Sequence, residues 1–386
     1  GAYSGSFAQG GLNLPIAFTQ GVVEVVKKAR EKRPQEPEPP FPYDVATLRV
    51  PTRDGHELAG TLFVPRSVPE KGVPIVVLVT GSGPQDRDEA LMDHKPFLVL
   101  ADRLARQGIA SFRYDDRGVG ESGGNFESAL TQDFAHDAAA ALVHLSQDPR
   151  LDASRNGVIG HSEGAIVAAI VGAGDAPDYQ DMARPRFVVM LAGPGVPGHE
   201  ILREQLKLLM LAEGIDEESV QKIGAAQELL LDAVISGADQ ETLIARAITL
   251  QDLQLELNKN QELVLGEVQR AQLAERSVQQ LKSPWMASFL TYDPRDALKK
   301  LDMPVLAVNG TLDTQVWYKQ NLPEIKRVVQ EAGGEITIME MEDLNHLLQP
   351  AKTGAVSEYS IIETTMDEAT MAAICKWILD IEAGTR

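Results

Sequence analysis

The chain reads as an α/β protein built on a mostly parallel sheet with helices on both faces. Three observations carry that reading. From about residue 75 onward, short apolar runs alternate with helical segments, and strands that are apolar throughout are strands covered on both faces. One junction in the alternation, Asn156-Gly-Val-Ile-Gly-His-Ser-Glu-Gly-Ala-Ile-Val-Ala-Ala-Ile170, joins a strand, a Gly-x-Ser-x-Gly turn and an apolar helix without a break. A chain of 386 residues with 44% hydrophobic content can also bury the core such a sheet needs.

Taken in order, residues 1–21 are Gly-rich with one apolar run at 12–18, and read as a stray strand or the tail of a preceding domain. The chain opens Gly1-Ala-Tyr3 without a methionine or a signal-like apolar stretch, so a processed or engineered start is expected. Both a cytoplasmic location and export with removal of a signal peptide stay open. A basic stretch at 27–33 leads into Arg33-Pro-Gln-Glu-Pro-Glu-Pro-Pro-Phe-Pro-Tyr43, a polyproline-type spacer that resists helix and sheet. Residues 1–43 are therefore an N-terminal segment and linker, and the main domain starts near Asp44. Runs at 46–50 and 57–64 flank Asp54-Gly55, which predicts a hairpin. Strands follow at 75–80, 109–114, 157–160, 187–191, 305–309 and 336–341, with helices at 96–107, 132–146, 165–172 and 323–332. Residues 197–290 break the alternation, being rich in Leu, Gln, Glu and Ala and almost free of proline. They read as a helical insertion between two sheet strands, which would emerge over the carboxyl ends of the strands as a cap. The core is then 44–196 plus 291–386. No internal repeat is evident.

Charge and composition exclude several classes. Lys and Arg number 36 against 56 Asp and Glu, a formal charge of −20, so nucleic acid would be repelled. No apolar run is long enough to cross a bilayer. Cys375 is the only cysteine, which forbids an internal disulfide and leaves the redox compartment open. With Met371, Ile374, Ile378 and Ile381 at helical spacing around it, Cys375 reads as a packing residue of a C-terminal helix. Neither a P-loop nor a Cys/His metal cluster is present. Gly118-x-Gly120 sits in the wrong turn for a dinucleotide fingerprint.

In the Gly-x-Ser-x-Gly turn, Gly160 and Gly164 leave space where a side chain would meet the neighbouring strand or helix, so Ser162 can hold a strained backbone with its hydroxyl exposed. The following helix points free N–H groups at the same spot, which favours a developing negative charge. A second match, Gly120-Glu-Ser-Gly-Gly124, follows a charged turn and precedes no apolar helix. Its Ser122 is therefore set aside.

A serine hydroxyl needs a base within hydrogen-bond reach, itself oriented by a carboxylate. Residues 305–313 supply a strand and a turn ending in Asp313, and residues 336–346 a strand and a loop carrying His346. Of the seven histidines, His56 and His199 fall in expected surface loops, His136 and His144 in a helix pattern, and His161 merely beside the serine. His94, in a loop near the first central strand end, is the rival base. Asp343, three residues from His346, is the rival acid, but so short a spacing suits a local loop cap. The oxyanion hole needs two backbone N–H groups. Glu163, after the nucleophile, would give one, and Ser82 in Val79-Thr-Gly-Ser-Gly-Pro84 the other, with Gly83 the fallback. Gln85-Asp-Arg-Asp-Glu89 and Asp115-Asp-Arg117 read as an ion-pair network bracing these loops, and Glu163 as a loop brace.

Gly81-Ser-Gly-Pro-Gln-Asp-Arg-Asp-Glu89, Phe112-Arg-Tyr-Asp-Asp-Arg-Gly-Val-Gly-Glu-Ser122, Gly160-His-Ser-Glu-Gly164, Leu191-Ala-Gly-Pro-Gly195, Asn309-Gly-Thr-Leu-Asp313 and Leu344-Asn-His346 occur in that order. Together they span about residues 44–386. This series resembles the α/β-hydrolase superfamily, and more narrowly its bacterial carboxylesterase branch related to the prolyl oligopeptidase-like hydrolases. The resemblance implies an eight-stranded sheet, a helical cap, a triad of Ser162, Asp313 and His346, and cofactor-free hydrolysis of small acyl esters. It also implies a further N-terminal domain and an export signal. Thr80-Gly81 replaces the superfamily's usual His-Gly, and Gly164-Ala165 the branch's common Gly-Gly. Peptidase or thioesterase activity, and a catalytically silent ligand-binding protein, are the alternatives.

Overall fold

A computed structural model of the protein describes residues 32–176, 184–257 and 266–382. The Gly-rich residues 1–21 and residues 27–31 of the basic stretch lie outside them. Elements are numbered in chain order. Asp54-Gly55 turns the chain between β1 (Tyr43–Pro51) and β2 (Glu57–Pro65), with Gly55 at a φ of 85° that a residue with a Cβ reaches only under strain. The two strands pair antiparallel from Tyr43 opposite Pro65 to Pro51 opposite Glu57.

β2 pairs antiparallel with β4 (Ala110–Tyr114). Beyond it, β3 (Val73–Val79), β5 (Leu151–His161), β6 (Phe187–Leu191), β7 (Val305–Gly310) and β8 (Ile336–Met341) continue the sheet in parallel. The order is β1-β2-β4-β3-β5-β6-β7-β8, eight strands in all. The mostly parallel eight-stranded sheet expected from the sequence is therefore present.

Strand periodicity explains why the central strands are apolar at every position. In β3, Ile75, Val77 and Val79 enter one core while Val76 and Leu78 enter the other, so no face is left for polar residues. The first core is closed by α2 (Thr131–Leu145), α3 (Glu163–Ala173), α9 (Arg295–Leu298) and α10 (Tyr318–Glu331), and the second by α1 (Pro96–Arg106) and α12 (Glu368–Glu382). Cys375 lies in α12 beside buried Met371, Ile374 and Ile378, the packing position expected of it. Burial pushes its thiol up to about 12.

Between β6 and β7 the chain forms α4 (Gly198–Ala212), α5 (Glu217–Ile235), α6 (Gln240–Leu257), α7 (Glu267–Leu281) and α8 (Pro284–Thr291). Leu202, Leu206, Ile223, Leu231, Leu243 and Val278 belong to a separate hydrophobic cluster shared by these helices. Asp216 and Ser283 cap α5 and α8 by accepting the N–H of Ser219 and Met286, which satisfies donors that a helix start leaves free.

Several local expectations need correction. β5 starts at Leu151 rather than 157, because its polar first half is held from outside: Leu151 pairs with Val73, and an Arg155 guanidinium N–H donates to Gly72 O at 2.7 Å. α10 starts at Tyr318, with Pro323 inside it. The turn before that proline is secured by Asn321, whose Nδ2 donates to Trp317 O at 2.9 Å while its Oδ1 accepts the N–H of Gly195 at 2.8 Å. The Pro-rich segment carries no helix or strand before Tyr43, as expected, but it is tied to the domain. Gln35 Oε1 accepts the N–H of Thr365 at 2.6 Å, Gln35 Nε2 donates to Met366 O at 2.8 Å, and Arg33 reaches Ile362 O. Both histidines expected in surface loops are half-buried: His56, between β1 and β2, has Nε2 3.2 Å from Asp137 Oδ1, and His199, in α4 rather than a loop, has Nδ1 2.8 Å from Leu290 O.

Candidate active site

The loops after β3, β5, β6, β7 and β8 gather at the carboxyl end of the parallel strands, where an open α/β sheet leaves a crevice. They line one cleft of about 660 Å³, its open mouth included, which takes in Gly81, Ser82, His161, Ser162, Glu163 and His346. Ile201, Gln205 and Phe289 reach it from α4 and α8.

Ser162 joins β5 to α3 at φ 53° and ψ −120°, a backbone that costs on the order of 1–3 kcal/mol outside glycine. Its N–H is anchored on Leu191 O at 2.9 Å and its carbonyl accepts the N–H of Ala165 at 3.0 Å. The flanking glycines are there for space. A Cβ at Gly160 would stand 1.9 Å from Gly164 O, and one at Gly164 2.2 Å from Val79 O. Ser162 is only partly buried, so its hydroxyl is reachable from the cleft.

Asp313, in the turn after β7, and His346, in the loop after β8, are brought together: His346 Nδ1 lies 2.8 Å from Asp313 Oδ2. The other carboxylate oxygen accepts the N–H groups of Gln315 at 2.8 Å and Val316 at 2.9 Å, so the carboxylate cannot rotate without losing three donors. Asn345 stiffens the His346 loop, its Oδ1 accepting the N–H of Leu347 and Gln349 at 3.0 Å each. Ser162 shares the cleft with His346.

Of the two expected oxyanion donors, Ser82 lines the cleft and Glu163 begins α3. The Gly81 N–H between Thr80 and Ser82 is taken by Glu89 Oε1 at 2.8 Å, and Gly83 sits at φ 95°. Glu163 is buried and ties three elements together. Thr131 Oγ1 donates to its Oε1 at 2.6 Å, the indole Nε1 of Trp285 in α8 donates to the same oxygen at 2.9 Å, and the Ser82 hydroxyl adds a third bond. Burial raises its pKa, with those bonds working the other way.

The rivals are held elsewhere. His94 is fully buried, Nδ1 3.1 Å from Thr365 Oγ1 and Nε2 2.9 Å from Tyr359 O. Ser122 donates to Asp115 O at 2.6 Å and accepts the N–H of Ala59 at 2.8 Å. Asp343 is exposed, and its N–H donates to Thr311 Oγ1. The charged segments do form an ion-pair network. Arg87 grips Asp115 through Nε at 2.9 Å and Nη2 at 2.7 Å, Arg113 Nε meets Asp88 Oδ1 at 2.7 Å, and Arg117 Nε meets Asp137 Oδ2 at 2.7 Å. Asp115 is held below the usual carboxylate range: burial, the largest influence, pushes it up, and the Arg87 bonds with two backbone N–H groups outweigh it. Among the described residues, Asp54, Asp133 and His136 are close enough to share a metal ion. The Arg117 guanidinium already faces both carboxylates, at 3.2 and 3.8 Å.

Two contacts escaped the sequence. His161, set aside as a neighbour of the serine, has Nδ1 2.9 Å from Glu89 Oε1 and Nε2 2.9 Å from His346 O. Trp285 reaches Glu163 across 122 residues of sequence. Its position at the start of α8 gave no hint of the partner, which only the stacking of those helices on the sheet supplies.

The family described as serine aminopeptidase, S33, matches residues 94–349. Esterase EstD of Thermotoga maritima is 27% identical over 323 residues, which take in 83% of this chain and 65% of the relative. The chain thus spans about 65% of that curated relative's length. Among solved structures, an esterase of Pyrococcus furiosus overlays at 15% identity and a TM-score of 0.45, covering 78% of this chain and 83% of its own. A proline iminopeptidase of Mycobacterium smegmatis overlays at 14% identity and a TM-score of 0.48, covering 88% and 100%.

Proposed function

We propose, from the premise that the chain belongs to the serine aminopeptidase S33 family of α/β hydrolases, that it is a serine carboxylesterase acting on small acyl esters. The observation that carries this is the buried Asp313–His346 bond at 2.8 Å beside a cleft that also holds the strained Ser162. His346 takes the Ser162 proton on Nε2 as Oγ attacks the ester carbonyl, and Asp313 holds the Nδ1–H and stabilises the imidazolium. The backbone N–H groups of Ser82 and Glu163 receive the oxyanion. His346 then protonates the departing alcohol, and water repeats the sequence on the acyl-enzyme.

Similarity to EstD supports an ester as substrate. The walls agree with a small uncharged acyl group: Leu91, Pro194, Ile201, Phe289, Val316 and Leu347 are apolar, no Lys or Arg lines the cleft, and the two lining carboxylates are engaged, Glu89 by Gly81 and His161 and Glu163 by Thr131 and Trp285. Helices α4 to α8, residues 197–290 in outline, act as a cap, contributing Ile201, Gln205 and Phe289 to the cleft and the Trp285 bond to Glu163. The family's description favours one second reading, release of N-terminal residues from peptides, because the same triad cleaves amides.

Intact-mass labelling with a fluorophosphonate, followed by short and long p-nitrophenyl esters, an acyl thioester and an aminoacyl anilide, separates these. One adduct lost in Ser162→Ala, with hydrolysis of short esters, is the expected result. Turnover of the anilide alone would replace the esterase by the peptidase, and absence of an adduct on the native chain would remove both.

A further inference from the structure

His161 has no part in the steps above, yet three of the loops that carry them close around it. It ends β5 directly before Ser162, and the residue is 6% exposed. Nδ1 lies 2.9 Å from Glu89 Oε1, Nε2 lies 2.9 Å from the backbone carbonyl oxygen of His346, and the ring centroid is 4.7 Å from that of His346. A backbone carbonyl and an ionised carboxylate only accept hydrogen bonds. A neutral imidazole has one N–H and can serve one of them, whereas a ring that serves both carries two protons. The same Glu89 oxygen accepts the N–H of Gly81 at 2.8 Å, one residue before Ser82. A histidine that only filled space would have no need of acceptors at both ends.

We propose that His161, as an imidazolium paired with Glu89, is a positioning residue that holds the His346 backbone and the oxyanion turn in register with Ser162, and that loss of its second proton sets the alkaline limb of activity. This rests on the reading of Ser162 and His346 given above. The charged and titratable groups around the ring come from each neighbouring element: Glu89 from the loop after β3, Asp313 from the turn after β7, His346 from the loop after β8, and Glu163 from the start of α3. Burial, the largest influence, disfavours the charged ring. The charge and hydrogen bond of Glu89, the His346 carbonyl and Asp313 together outweigh it, so the ring titrates above the ordinary histidine value. The sign follows. A raised pKa means that both bonds stand at low and neutral pH and that one is lost as pH rises through the folded-state value.

Nitrogen-15 NMR of the histidine side chains in the Ser162→Ala chain reads the protonation state without any need for activity, with the His161 signals assigned by their loss in His161→Asn. Both ring nitrogens protonated at pH 7 is the expected result; one bare nitrogen overturns the proposal. Profiles of kcat against pH for the native chain, Glu89→Gln and His161→Asn give the second readout. His161→Asn should lower kcat by about ten- to a hundredfold with KM changed by no more than about twofold, and should lack the native alkaline limb. In Glu89→Gln that limb should move to lower pH. An identical alkaline limb in all three chains also overturns it. Should Ser162 fail to label, the serine-hydrolase reading falls, while the NMR result still decides whether the buried ring is doubly protonated.

Discussion

Replacing Asp313 by asparagine tests the candidate triad at its most constrained point. The Oδ1 atom of Asp313 accepts two backbone N–H groups, from Gln315 at 2.8 Å and Val316 at 2.9 Å. An asparagine there must keep its carbonyl oxygen toward those donors, because its NH2 would face them donor to donor. Its NH2 then takes the place of Oδ2, 2.8 Å from His346 Nδ1. To avoid a second clash, Nδ1 must become the acceptor, which moves the ring proton to Nε2, the nitrogen that has to be bare to receive the serine proton. The same exchange in serine-protease triads lowers kcat by about 10⁴, equivalent to about 5 kcal/mol of barrier at 1.36 kcal/mol per tenfold. The assay is kcat/KM for p-nitrophenyl acetate at neutral pH, with the rate of fluorophosphonate labelling alongside and the melting temperature as the folding control. Asp and Asn have nearly the same volume, so the fold should survive. Activity within about tenfold of the native chain would refute the assignment of Asp313 as the acid.

Three further outcomes are expected. Trp285→Phe keeps the ring that stacks on Phe289 at 5.4 Å but removes the donor to Glu163; stability should fall by about 1 kcal/mol and KM should rise more than kcat falls, and unchanged KM across an ester series would remove α8 from substrate binding. Ser122→Ala should remain active and accept the fluorophosphonate, while leaving the Ala59 N–H and the Asp115 carbonyl without their partner at a cost of about 1–3 kcal/mol in denaturant unfolding; loss of labelling would return Ser122 to candidacy. Cys375, buried in α12 with its thiol pushed up to about 12, should resist iodoacetamide at pH 8 in the native chain and react once the protein is unfolded, and prompt native alkylation would contradict its packing role.

Much of the fold was legible because its signals are local. A strand covered on both faces must be apolar at every residue, so β3, β6 and β7 announced themselves. The Gly160-His-Ser-Glu-Gly164 turn was equally plain as a motif, although only Gly160 answers a local clash, with Gly164 O, while a Cβ at Gly164 would meet Val79 O on the neighbouring strand. Where local signals were weak, boundaries slipped. The first half of β5 is Leu151-Asp-Ala-Ser-Arg-Asn156, too polar to read as a strand, and it is extended because Val73 and the Gly72 carbonyl hold it. The segment from Arg33 had the composition of a spacer, but its Gln35 amide finds the backbone of Thr365 and Met366, about 330 residues on.

By itself the sequence determined the strand series, the place of the helical insertion between β6 and β7, and the positions of Ser162, Asp313 and His346 after β5, β7 and β8. Each of these follows from periodicity or from a motif within one short stretch. Tertiary structure alone decided which side chains meet. Glu89 reaches His161 across 72 residues and Trp285 reaches Glu163 across 122. Hydrogen bonds extend about 3 Å, so such partners exist only once the order of strands has set their loops side by side.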